Sequence, residues 1–424
     1  MTNLILKAES PAYQGFCVGR LSGKVFLIRG AIPGETVEVT IDEEKKGYCL
    51  ATATRIIDRS PERTDPACNY FGICGGCQFQ YITYPKQIQI KEEVLQDCLK
   101  RIAKIETVLS GSIAINKPWN YRFKGQFKIA YGKVGFYREK TREIVDIESC
   151  PLMLSEINVS LGKTRSLLKG FDVASGEIHI SYGKGTVALI KIADQYPPIP
   201  PLARGGKGGV DWTRLASGFL KAGSKGVMIE SLNKRLLKHG DCSATLDFCG
   251  LQYRISPMSF FQGHWDLNVE VVEFIKECLQ PLQGKRVLDL YAGAGNFSLP
   301  LASEAEEVVA VEDNKYAIGD GRTNLKSNDI RNCRFVLSSA EAFEGGGHTD
   351  ILILDPPRLG LSNRAVEKVL KLGAERLVYI SCNPANLARD LKKLIVKYDI
   401  ESVRLVDFFP QTYHIESLTF LRLR

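Results

Sequence analysis

Four short apolar runs recur through the last third of the chain, at 286–290, 308–311, 351–354 and 377–380, with helical stretches between them. The alternation of strand and helix predicts a parallel sheet with helices on both faces. A helix over 267–279 leads into the first run. Ligands of such sheets bind beyond the carboxyl ends of the strands, so the residues following each run are where chemistry is expected.

The first run continues into Asp289-Leu290-Tyr291-Ala292-Gly293-Ala294-Gly295-Asn296. Gly293 and Gly295 allow a tight turn and close approach of backbone to a ligand. A dinucleotide fingerprint asks for a third glycine at 298, where Ser298 stands. Glu312 ends the second run, placed to accept hydrogen bonds from ribose hydroxyls. Two glycines, no third, and an acid on the second strand fit S-adenosylmethionine better than a dinucleotide. The bland alternative is a strand–turn–helix with incidental glycines. The third run ends in Asp355-Pro356-Pro357-Arg358. Enzymes methylating exocyclic nitrogens follow a similar Asp-Pro-Pro with an aromatic that stacks on the base, and Arg358 in its place argues against that reaction.

The fourth run ends in Ser381-Cys382-Asn383-Pro384. Asn383 is a good N-cap and Pro384 a good first helical residue, so Cys382 is expected at a helix N-terminus whose dipole favours thiolate. A thiolate beside a methyl donor has a specific use. C5 of uracil is a poor nucleophile, and adding sulfur to C6 makes C5 enolate-like. A base must then remove the C5 proton. Glu416 is the first candidate and His414 the second, both within 409–417.

At this point the chain resembles the RNA uridine-5-methyltransferase family. The resemblance is carried by Ser256-Pro257-Met258-Ser259-Phe260-Phe261-Gln262, the Asp289 to Asn296 segment, Asp355-Pro356, Ser381-Cys382-Asn383-Pro384, and Pro410 to Ser417. It implies an α/β class I (Rossmann-like) methyltransferase domain using S-adenosylmethionine. Cys382 would be the nucleophile and Glu416 the base, with Gln262, Tyr291, Asn296, Glu312, Ser339 and Asp355 around the cofactor. One departure is local: relatives commonly have Asn two residues after the Gln, and this chain has His264. A cytosine-C5 enzyme would use the same thiolate, but its relatives carry a second Cys after Asp-x-Pro.

Twelve cysteines in a chain without a signal-peptide pattern are expected as thiols rather than disulfides. Three of them cluster as Cys68-x5-Cys74-Gly75-Gly76-Cys77, which points to zinc or an iron–sulfur cluster. The spacing is not the C-x3-C-x2-C of radical enzymes. The resemblance implies a [4Fe–4S] cluster with Cys150, followed by Pro151, as fourth ligand.

Near-period-two strands punctuated by glycine predict a small all-β barrel at the N-terminus, similar to the TRAM RNA-binding domain through Gln14-Gly15 to Gly23, Ile32-Pro33-Gly34-Glu35 and Ser60-Pro61-Glu62-Arg63. The expected division is 1–59 barrel, 60–258 mostly β central domain carrying the iron–sulfur loop 68–77 and Cys150, and 259–424 methyltransferase. A polar helix is expected over 85–103 and a loop or hinge over 197–209. Residues 117–142 hold eight Lys or Arg, one acid (Glu139) and seven aromatics. They read equally as an RNA surface or as an amphipathic meander with its aromatics inside. The net charge of +8 permits an RNA partner. No apolar run is long enough to span a membrane, and a cytoplasmic monomer is expected. Between targets, 23S rRNA is favoured over tRNA. A non-catalytic iron–sulfur RNA-binding protein is the reading from another class.

Overall fold

The computed structural model describes residues 4–171, 173–192, 211–231, 236–345 and 347–424. The expected hinge over 197–209 lies outside the described residues. The alternation in the last third becomes an eight-stranded sheet. Its order is Cys333–Leu337, Glu307–Glu312, Arg286–Leu290, Ile351–Leu354, Arg376–Ser381, Glu416–Leu423, Tyr398–Val406 and Ser112–Ile113. The first five strands are parallel. Glu416–Leu423 then pairs antiparallel with both of its neighbours, so the sheet is mixed rather than parallel throughout. The linker 407–415 is too short for the crossover that parallel neighbours need, so the last two long strands close as a hairpin. Cys333–Leu337 escapes an apolar-run reading because it is an edge strand, with Cys333 and Phe335 buried and Arg334 exposed between them.

Both faces of this sheet are covered. On one side Leu267, Val271 and Ile275 of helix Trp265–Cys278 pack against Val287, Ile353 and Ile380. On the other, Leu387, Leu391 and Leu394 of helix Pro384–Leu394 meet Leu352, Leu377 and Leu421. Helix Tyr84–Cys98, continued by one wide turn over Leu99–Ala103, joins this second core through Val94, Leu95 and Leu99. The hairpin Ala244–Phe248 with Leu251–Ile255 joins the first through Phe248 and Tyr253. Two segments that sequence order assigns to the middle of the chain are therefore built into the core of its last third.

The N-terminal strands form a six-stranded sheet in the order Leu4–Lys7, Thr36–Lys45, Tyr48–Asp58, Lys24–Arg29, Phe16–Leu21, Ser10–Ala12, around Phe26, Ile28, Val37, Val39 and Ala51. A seven-stranded central sheet runs from Ile144–Asp146 through Lys133–Tyr137, Lys124–Ala130, Ser175–Gly183, Gly185–Ile192 and Gly226–Ser231 to Leu236–Gly240. Helices Ser155–Leu168 and Trp212–Lys221 pack on one of its faces. The aromatics of 117–142 divide. Tyr121, Phe123 and Phe127 are core, whereas Tyr131 and Tyr137 are exposed. Among the described residues no helix is long and apolar enough to cross a membrane.

Candidate active site

Strand register brings the two principal residues together. Ser381 pairs with Ser417 on the last rung between Arg376–Ser381 and Glu416–Leu423. Cys382 directly follows the first strand and Glu416 opens the second, so the two flank that last rung. Asp355 follows the adjacent parallel strand, Ile351–Leu354. Cys382, Glu416 and Asp355 thus share the carboxyl end of the sheet, where the open ends of the parallel strands lie.

Helix Pro384–Leu394 starts as expected, with the Asn383 side chain accepting from Ala385 N (3.1 Å) and Asn386 N (3.2 Å). The expected thiolate does not follow. Burial, then the carboxyls of Glu416 and Asp355, push the Cys382 thiol up to about 11. Asn383 has taken the helix N–H groups that would have favoured the anion. The opposing cation is Arg358, which acts on both Cys382 and Glu416. In the sequence Arg358 served only to exclude another reaction, because nothing in chain order places it beside Cys382.

Glu416 is buried and its Oε2 has no hydrogen-bond partner. Burial, then Asp355, raises its carboxyl well above the usual range. His414 lies nearby, but burial and then Arg358 lower it to about 4. A ring of that basicity is a poor proton acceptor, which favours Glu416 as base.

The expected cofactor residues surround the same strand ends. Asp289 is fully buried and takes a hydrogen bond from Ser298 Oγ. Burial and the neighbouring carboxyls raise Asp289 to about 7, and burial followed by Glu312 raises Asp355 to about 7. Glu312 Oε2 accepts from Gly293 N (2.9 Å) and Oε1 from Asn314 N (2.8 Å), so this acid also shapes the glycine turn. A Cβ on Gly295 would lie 2.1 Å from Leu299 Cδ1, which makes glycine obligatory there. Gln262 is buried with Oε1 unpartnered. An orphaned amide oxygen and three carboxyls at one rim match the ammonium, sulfonium and ribose of S-adenosylmethionine.

Two expected contacts are already engaged elsewhere. Asn296 exchanges hydrogen bonds with Asn268 (2.7 and 3.2 Å). Ser339 Oγ accepts from Ala342 N. His264 accepts from Leu267 N through Nδ1, capping helix Trp265–Cys278, and stacks on Tyr121 at 4.5 Å.

Beside this site, Cys68, Cys74, Cys77 and Cys150 line one cavity of about 310 Å3, together with Arg122, Arg358, Phe409 and His414. Among the described residues no three His, Cys, Asp or Glu side chains converge closely enough for a single metal ion. Four thiols around a larger void match a multinuclear group in donor chemistry. Gly76 N also points at Cys74 Sγ (3.4 Å).

The loop carrying the base is braced from outside its own sheet. Lys91 Nζ donates to Asp407 Oδ1 (2.6 Å) and Phe409 O (3.0 Å). Gln87 and Gln411 exchange hydrogen bonds (3.0 and 2.9 Å), and Gln78 N and Phe79 N both reach Gln411 O. Tyr121 Oη donates to Pro410 O. These residues were not anticipated, although a signal exists. Gln87 and Lys91 fall on the helical stripe of Ile90, Val94, Leu95 and Cys98, where an outward polar residue would not stand.

Comparison with known proteins agrees with this geometry. The family described as tRNA (Uracil-5-)-methyltransferase matches residues 233–349 and 346–424, and the TRAM domain matches 4–54. The chain is 36% identical to an uncharacterized RNA methyltransferase of Aquifex aeolicus over 99% of both chains. It is 31% identical to the 23S rRNA (uracil(1939)-C(5))-methyltransferase of Shewanella amazonensis, over 99% of this chain and 96% of that one. Among solved structures, the Pyrococcus abyssi tRNA (uracil-54, C5)-methyltransferase in complex with S-adenosyl-L-homocysteine superposes with a TM-score of 0.75, at 23% identity and 99% coverage of both chains.

Proposed function

This chain belongs to the RNA uracil-5-methyltransferase family, and from that premise we propose that it methylates C5 of a uridine in 23S rRNA through a covalent Cys382 adduct. The family fold is a class I methyltransferase with a TRAM barrel, and the reaction is S-adenosylmethionine-dependent RNA uracil C5 methylation. The observation carrying the residue assignment is the Ser381–Ser417 rung, whose neighbours Cys382 and Glu416 flank it at the cofactor end of the sheet.

In this reading Cys382 and Glu416 each release a proton to solvent as substrate binds, and the Cys382 thiolate then bonds to C6 of the flipped uridine. Electron density moves to C5, which takes the methyl group from the sulfonium. Glu416 removes the C5 proton, C5=C6 re-forms and the Cys382 thiolate leaves. Arg358 offsets the negative charge as it passes between sulfur, uracil and carboxylate. Gln262, Tyr291, Glu312 and Asp355 hold the methyl donor. Asn296 and Ser339 act on the pocket through the groups they already bind.

Cys68, Cys74, Cys77 and Cys150 would hold a [4Fe–4S] cluster, which supplies a rigid covalent tie between the loop 68–77 and residue 150. No step of methyl transfer needs it. The enzyme would act in the cytoplasm as a monomer. The 23S target is favoured over tRNA by relatives at 31% identity that share nearly the full length.

The test is nucleoside analysis after incubation with labelled S-adenosylmethionine and, separately, 23S rRNA and tRNA. Label in 5-methyluridine from 23S rRNA is expected; label only in tRNA would overturn the target, and none in either the function. Glu416→Gln should accumulate an RNA adduct that survives denaturation, and Cys382→Ala should form none.

A further inference from the structure

We propose that Leu359 is an apolar wedge that enters the RNA base stack where the target uridine has left it. The proposal rests on the reading of Cys382 and Glu416 as the uridine site and adds a substrate-contacting residue that the methyl-transfer chemistry itself does not use.

Leu359 is 79% exposed, among the most solvent-accessible large apolar side chains of the described residues. Singly exposed leucines are ordinary on protein surfaces. Two features set this one apart. The first is rigidity. Gly360 N donates to Pro357 O (2.8 Å), Asn386 Nδ2 to Arg358 O (2.6 Å), and Arg389 Nη2 to Leu359 O (2.8 Å) and Leu361 O (3.1 Å). Leu361 N donates to the buried Asp390 carboxylate (2.8 Å), which also takes the Tyr379 hydroxyl (2.7 Å). Gly360 sits at φ +71, and any Cβ there would lie 2.5 Å from Asp390 Oδ2. Four carbonyls and two amides of a five-residue loop are thus tied down, chiefly to one helix, Pro384–Leu394. Of the loop's two leucines, Leu361 is buried and Leu359 stands in water.

The second feature is place. That helix begins two residues after Cys382. Leu359 directly follows Arg358, which lines one cavity with Phe409 and His414 and is the cation acting on Cys382 and Glu416. The mouth of the site therefore carries a leucine fixed to the same element as the nucleophile. RNA must reach Cys382 across this rim, and a uridine can do so only by leaving its stack, which costs free energy. Apolar side chains inserted between bases offset such losses elsewhere in nucleic-acid recognition. A leucine on a flexible loop would lose loop freedom on insertion; the backbone carrying this one is ordered beforehand.

The experiment uses the full-length enzyme and a stem–loop cut from whichever RNA, 23S or tRNA, the wild type methylates. One version carries 2-aminopurine 3′ to the target uridine. A second has abasic sites flanking it, so no stacking is broken when it flips. Leu359→Ser should lower kcat/KM on the intact stem–loop by about ten-fold, mainly through KM. The same variant should lose the 2-aminopurine fluorescence change and stay within about two-fold of wild type on the abasic version. Leu359→Met should restore both signals. Equal activity of Leu359→Ser and wild type on the intact RNA would overturn the proposal, and so would equal losses on both RNAs. If wild type methylates neither RNA, the reading of the site falls first and the wedge with it.

Discussion

The resting site holds its protons. Burial and then the carboxyls of Glu416 and Asp355 raise Cys382, and burial and then Asp355 raise Glu416, so both groups hold their protons more tightly than in water before substrate arrives. Asp355 and Asp289, raised to about 7, extend the same condition to the cofactor rim. The sign follows directly. A carboxyl whose folded pKa is raised stabilises the fold while protonated, and that contribution fades as pH rises towards 7. The ligand-free melting temperature should therefore fall between about pH 5 and pH 7.5. S-adenosylmethionine is a cation at its sulfonium and binds the ionised rim better. Its affinity should rise several-fold from about pH 6 to pH 8, and calorimetry in two buffers should register proton release on binding. A pH-independent affinity would count against Asp355 as a cofactor contact. Much of this was legible in residue types, since Glu312, Asp355 and Cys382 stand at the ends of apolar runs. The protonation state was not, because it depends on burial and on carboxyls brought close by different strands.

At the scale of elements, the active-site loop 407–415 is held by a helix more than 300 residues earlier in the chain. One of these ties is the buried ion pair Lys91–Asp407. Burial lowers the lysine from its ordinary value, and Asp407 opposes that shift. Lys91→Met would leave a buried carboxylate without its cation, a loss of about 3–5 kcal/mol. Urea denaturation should show it, and Lys91→Met with Asp407→Leu should recover most of it; additive losses would mean that the two residues do not act as a pair. The helix itself was readable as 85–103, because its buried positions repeat every three or four residues. Its partner was not, since periodicity identifies a buried face without saying what covers it.

For the molecule as a whole, the barrel and the central sheet lie close around the methyltransferase body. A Cβ on Gly15 of the barrel would lie 3.1 Å from Tyr413 and 3.2 Å from Phe79, so the backbone there approaches both closely. A groove shared by Gln14, Arg29, Gln126, Lys128, Arg138, Lys140 and Tyr413 crosses all three parts. An RNA bound along it would contact several basic residues, so RNA affinity should drop steeply between about 50 and 200 mM salt while cofactor affinity changes little. Filter binding at both salts checks this. Protein purified without air should contain iron and sulfide, and Cys77→Ser or Cys150→Ser should lose both. Retention in either variant would remove that cysteine from the ligand set. The sequence by itself determined the strand–helix alternation, the residues at the strand ends and the cysteine spacing, because period, caps and turns are local properties of a few neighbouring residues. The mixed edge of the sheet, the juxtaposition of Cys382 and Glu416, the cation at Arg358 and the brace from Lys91 were decided only by the tertiary structure. Each depends on contacts between segments distant in the chain, and those are set by how the apolar faces close over one another.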